Sequence, residues 1–230
     1  MRFTLSASFV SILLGLSLAV PAIADPAQSS VNDKGAAPLS LAVSLFKGQG
    51  VAKDEALAAH YFRMSAEQGN VDAQNMLGVL HKFGQGVPKD NREAVKWFRT
   101  AAENGHADAE NNLGTMYNSG QGVSQDFLEA VRWFRLAADQ GSANAQNNLA
   151  VAFDDGQGAP KNRVVAYALF NLAAAGMSSN NESVIASRTS TAAGMSRKEL
   201  DDAQALTREL AKPKVFLVAL DAYIKRAKIK

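Results

Sequence analysis

Residues 109–141 read AENNLGTMYNSGQGVSQDFLEAVRWFRLAADQG, and residues 73–105 read AQNMLGVLHKFGQGVPKDNREAVKWFRTAAENG. The two stretches are one motif written twice. Its turn, Gly48-Gln49-Gly50-Val51, recurs as Gly84-Gln85-Gly86-Val87, Gly120-Gln121-Gly122-Val123 and Gly156-Gln157-Gly158-Ala159, a period of 36 each time. Asp54, Asp90, Asp126 and Asn162 keep the same step. So do Tyr61-Phe62, Trp97-Phe98, Trp133-Phe134 and Leu169-Phe170. A fixed period of this length is the signature of a stacked-repeat architecture.

Within a unit the spacing is helical. Ala94, Trp97, Phe98, Ala101 and Ala102 stand at i, i+3, i+4, i+7 and i+8, which makes one apolar face. Ala109, Leu113, Met116 and Tyr117 make another. Asp90-x-x-Glu93 and Asp126-x-x-Glu129 read as capping boxes that start helices. Gly105 and Gly141 end one helix of the unit, and Gly84 and Gly120 the other, where a left-handed residue is wanted. The second glycine, at 86, 122 and 158, is read as letting the chain reverse tightly. The expected fold is all-α, with two antiparallel helices per unit and no sheet.

The pattern A-x-x-x-L-G-x-x-Y-x-x-G-x-G-V-x-x-D-x-x-x-A-x-x-W-F-R-x-A-A-x-x-G resembles the Sel1-like repeat, a relative of the tetratricopeptide repeat, and residues 109–141 follow it almost throughout. The resemblance implies a right-handed α-solenoid used for protein–protein contact. It covers four units over residues 36–176. The first unit has a leading helix read as shortened to Leu39–Phe46. Residues 177–211 read as a degenerate terminal repeat, with Ser196-x-x-Glu199 capping its second helix. Exported bacterial members resemble adaptors in envelope signalling, exopolysaccharide regulation and host interaction.

Residues 1–24 read as a secretory signal peptide: Arg2, an apolar stretch from Leu5 to Val20, and small residues ending at Ala24. The apolar stretch falls short of the about 18 residues that a membrane span wants. The mature protein is then exported and not transmembrane, periplasmic in the first reading and secreted in the alternative. Residues 25–35 read as a flexible lead-in. The chain has no cysteine, which excludes a disulfide framework, a cysteine nucleophile and the usual structural zinc site.

Chemistry is sparse. The three histidines form no i, i+4 ligand pair, so neither metal nor cofactor is expected. Ser44-x-x-Lys47 matches the motif of penicillin-recognising serine enzymes, yet no S-D-N or K-T-G partner follows. That enzyme is kept as the alternative to a chain without catalytic residues. Trp97 and Trp133 hold the repeat phase and read as core.

The informative polar feature is a ladder. Asn75, Asn111 and Asn147 recur at period 36, flanked by Gln74, Glu110 and Gln146, with Lys82, Asn118 and Asp154 on the same faces. A carboxamide donates and accepts at once. A row of them lining a concave groove is expected to clamp an extended peptide; the alternatives are a solvated face or amides bridging neighbouring helices. The formal charge of +2 also hides a division. Residues 212–230 carry +5 and residues 25–211 carry −4, so the chain is not a nucleic-acid binder by overall charge. Phe216, Leu220, Tyr223, Ile224 and Ala227 form an apolar stripe in that basic tail, with Pro213 in its first turn. Such a helix caps the last repeat or, alternatively, contacts an anionic surface.

Overall fold

The computed structural model describes residues 35–177 and 181–227, which belong to one compact unit. Residues 1–24, read above as a signal peptide, residues 25–34 of the expected lead-in, residues 178–180 and the last three residues lie outside the described residues. Among the described residues there are eleven helices and no strand: α1 (Ala36–Lys47), α2 (Glu55–Glu67), α3 (Val71–Phe83), α4 (Asn91–Glu103), α5 (Ala107–Ser119), α6 (Phe127–Asp139), α7 (Ala143–Asp155), α8 (Arg163–Gly176), α9 (Glu182–Ala193), α10 (Arg197–Leu210) and α11 (Phe216–Ala227). The first eight form four pairs, each packed on the next.

Local chemistry sets the helix starts. Asp54, Asp90, Asp126 and Asn162 accept hydrogen bonds from Leu57, Arg92 and Glu93, Glu129, and Val165 backbone N–H. Asn70, His106 and Ser142 do the same for the other helix of each pair. The boxes expected at Asp90 and Asp126 are only half formed. Glu93 and Glu129 turn outward to Lys96 and Arg132, at 2.8 and 2.7 Å. The reciprocal box closes at Ser196–Glu199. Gly84, Gly120 and Gly156 end α3, α5 and α7 in the left-handed region.

The second glycine of each turn does more than reverse the chain. Gly86 has φ +69, and an added Cβ would overlap the Glu55 carbonyl of the preceding pair and lie 2.9 Å from Ala56 N. Gly122 and Gly158 stand over Asn91 and Phe127 in the same way. Gly50, with no pair before it among the described residues, has open space around it. The glycine is therefore required by the contact between units.

The aromatic pair divides its work. Phe98 and Phe134 lie over Gly78 and Gly114, where a Cβ would come within 2.6 Å of the ring. Trp97 packs against the cluster that holds Ala58 and Phe62 of the first pair and Leu77 of its own, and Trp133 joins Ala94 and Phe98 of the second pair and Leu113 of its own. Phenylalanine fills its own pair while tryptophan ties back to the one before.

The ends depart from the expectation. α1 is a full 12-residue helix, not a shortened one. Gly35 is buried, and its carbonyl accepts the Ser65 hydroxyl at 2.6 Å, so the lead-in is already fixed there. Within the four pairs the helices pack on each other, whereas α9 and α10 each pack on α8. α11 begins at Phe216 and not at Pro213, because Lys214 takes a left-handed φ of +62. It packs on α10 and reaches back to α6, placing Phe216 and Leu220 in the cluster that holds Ala168 and Leu206. The apolar stripe of the tail thus caps the array, and Lys225 and Arg226 face solvent.

Candidate interaction site

The side chains of α3, α5 and α7 that recur at period 36 divide into three rows. The innermost holds Gln74, Glu110 and Gln146, all buried. Gln74 Nε2 donates to the Ala66 carbonyl at 3.1 Å, and Gln146 Nε2 to the Ala138 carbonyl at 3.5 Å. These amides satisfy the C-terminal turn of the preceding helix, where carbonyls lack intrahelical partners. They therefore do not line a groove, contrary to the expectation from sequence. Glu110 takes the same slot but cannot donate when ionised. It accepts from Gln140 Nε2 at 2.8 Å instead, and burial pushes its carboxyl above the usual range.

The middle row ties units together. Asn112 Nδ2 donates to Asn75 Oδ1 at 3.2 Å, and Asn148 Nδ2 to Asn111 Oδ1 at 2.9 Å. The bridging alternative thus describes Asn75 and Asn111. Equivalent residues do not face each other; each meets the residue after its equivalent. The row ends at Asn147, because the next place in the series is the apolar Val184.

The outer row is Lys82, Asn118 and Asp154, with Val79, Thr115 and Val151 one turn earlier. Lys82 and Asp154 are half-buried and Asn118 is exposed. Partial burial lowers the Lys82 ammonium, which lies 5.3 Å from the centre of the Phe83 ring. Along the row the charge runs from positive through neutral to negative.

A further series at the same period, legible in the sequence, is Arg63, Arg99 and Arg135. Arg63 Nη2 lies 3.3 Å from His81 Nε2, and Arg99 Nη2 donates to the Tyr117 hydroxyl at 2.7 Å. Phe153 stands at the third place and cannot accept, so Arg135 pairs with Asp221 of α11 at 2.5 Å.

The other candidates for chemistry remain scattered. Ser44 is half-buried on α1 and Lys47 exposed. His106 caps α5 through Nδ1 and meets Asp72 at 3.2 Å through Nε2. Among the described residues no group of three or more His, Asp or Glu could hold a metal ion, and no helix is long and apolar enough to cross a membrane.

Comparison with known proteins agrees with the repeat register. Sel1 repeats match residues 39–70, 71–106, 107–142 and 143–176, more than half of the chain. A protective antigen present in uropathogenic Escherichia coli strains, displaying an SLR fold, is 40% identical over 61% of this chain, with a TM-score of 0.60. This chain covers 30% of that protein's length. A Sel1 repeat protein from Oxalobacter formigenes is 25% identical, with a TM-score of 0.59, over 84% of this chain and 88% of its own. No curated protein matches the chain. The 36-residue period, the helix pairs and the four matched repeats make this chain a member of the Sel1 repeat family, whose proteins are generally protein–protein interaction scaffolds.

Proposed function

We propose that the chain is an exported adaptor that holds a peptide or protein partner in the groove lined by α3, α5 and α7, and that it regulates an envelope or signalling process by doing so. The observation that carries this reading is the outer row, Lys82, Asn118 and Asp154. Asn–Asn bonds lock the helices beneath it, so the row is held at a fixed interval. Its positive-to-negative run selects an extended segment with an acidic end near Lys82 and a basic end near Asp154. Binding here needs no turnover, in keeping with a family of typically non-enzymatic scaffolds.

The test is capture of partners from an envelope extract by immobilised residues 25–230. Wild type is compared with a Lys82→Glu, Asp154→Lys variant. Loss of the captured protein with unchanged melting supports the reading, and equal capture refutes it. Export is tested separately, by finding Asp25 as the N-terminal residue of the protein recovered from the periplasm. The likeness to a protective antigen of uropathogenic Escherichia coli favours a second reading, a secreted factor acting on a host. Its mark is the protein in the culture medium.

A further inference from the structure

α11 sits on α6 through two polar contacts. Leu217 N–H donates to Asp139 Oδ1 at 3.4 Å, and Arg135 Nη2 donates to Asp221 Oδ1 at 2.5 Å. Residues 135 and 139 are one turn apart on α6, and 217 and 221 are one turn apart on α11. The two helices therefore run in opposite directions at this contact. The carboxylate at 139 meets an N-terminal N–H that has no intrahelical partner, and the arginine grips an acid four residues further on.

The same two-point clamp recurs one repeat earlier. Arg99 and Glu103 of α4 stand where Arg135 and Asp139 stand on α6. Glu103 is exposed, and Arg99 spends only part of its fork of donors on Tyr117. The surface running away from the clamp matches as well. Beside the occupied clamp, α8 offers Val164, Ala168 and Leu172. Beside the second clamp, α6 offers Leu128, Arg132 and Leu136 at the same places. Val164 and Ala168 are buried, but Leu128 is 74% exposed. One repeat earlier still, the clamp Arg63/Glu67 is followed on α4 by Arg92, Lys96 and Thr100, with no apolar surface. Among these three positions the middle one combines a clamp with an exposed apolar side chain, Leu128, and a half-buried one, Leu136.

We infer that Arg99, Glu103, Leu128 and Leu136 form a docking site for an amphipathic helix of a partner protein, held as α11 is held by Arg135 and Asp139. The occupant offers an N-terminal backbone N–H to Glu103 and an Asp or Glu four residues later to Arg99. Its apolar stripe runs along α6 toward Leu128, much as α11, packed on α10 and α6, buries Phe216 and Leu220 in the cluster that holds Ala168. This surface lies on the second helices of the pairs and is distinct from the row proposed above for an extended peptide.

The probe is a fluorescent peptide with the sequence of residues 212–227, titrated against residues 25–230 with α11 in place. Saturable binding is expected, weakened at least tenfold by Arg99→Glu and by Leu128→Lys. Leu128 is exposed, so that variant keeps its fold. A peptide carrying Asp221→Arg loses binding to wild type and regains it on the Arg99→Glu protein. The proposal is overturned by absence of saturable binding, or by binding indifferent to Arg99→Glu and Leu128→Lys. Binding that is lost with Arg135→Glu alone also overturns it, since the peptide is then exchanging into the seat of α11.

Discussion

Gly122→Ala and Gly50→Ala make the same chemical change in the same turn, one inside the array and one at its open end. Both glycines are left-handed, with φ +70 and +76. An L-residue in that conformation costs about 1–2 kcal/mol, and Gly50→Ala pays nothing more because its Cβ meets open space. At Gly122 the Cβ overlaps the Asn91 carbonyl and lies 2.8 Å from Arg92 N, both of them backbone. No side chain can rotate away, so the turn must lift from α4. Overpacking of this kind adds about 1–3 kcal/mol. For a chain of this size each kcal/mol moves Tm by about 2–4 °C, so Gly122→Ala should melt about 2–12 °C below Gly50→Ala. Far-UV circular dichroism gives both melts, with urea midpoints as a second measure. Hydrogen exchange should show the extra loss where the turn between α5 and α6 meets the start of α4, since repeats couple to their neighbours. Equal melting temperatures would refute the assignment of the second glycine to the contact between units.

Three further outcomes follow from the same contacts. Glu110→Gln should stabilise the chain by about 1 kcal/mol near neutral pH, because the amide keeps Gln140 and can donate to the preceding turn as Gln74 and Gln146 do. The folded carboxyl titrates above its ordinary 4.5, so the ionised form is penalised in the fold. Wild type should then lose stability, relative to the variant, as pH rises from about 4.5 through the folded value; a pH-independent difference contradicts this. Trp133→Ala, at a site 4% exposed that joins two units, should cost about 3–5 kcal/mol in urea unfolding. Truncation after Lys212 removes Phe216 and Leu220 from their shared cluster and should lower Tm sharply, whereas an unchanged melt would deny that α11 caps the array.

The helices were legible because period, caps and glycines all point the same way, and the four pairs begin and end within a residue or two of the turn signals. The ladder departs from its expected place for a geometric reason. A period of 36 suggests that equivalent residues stack, but units are offset, and Asn75 meets Asn112 while Asn111 meets Asn148. Gln74 and Gln146 turn inward instead of lining a groove, and the burial of a polar residue is not visible in a sequence until its partner is placed. The seat of α11 had left a trace. α8, on which α9 and α10 pack to build the seat, carries Val164 and Ala168 where α6 carries Leu128 and Arg132 and α4 carries Arg92 and Lys96, an apolar face with no reason to exist in solvent. The arginine series stood at the same period as the tryptophans. Its meaning lay in the third partner, Phe153, whose missing acceptor leaves Arg135 to Asp221. That contact spans 86 residues, and no local pattern announces it.

The central claim is that a partner lies along α3, α5 and α7. Site-specific photocrosslinking tests it with fewest assumptions: a benzophenone side chain is placed at the exposed Asn118, midway along the outer row, and another at the exposed Asp201 of α10. On irradiation in the native cell, the Asn118 protein should yield a discrete adduct with one partner and the Asp201 protein none. No adduct from Asn118, or the same adduct from both positions, would contradict the account.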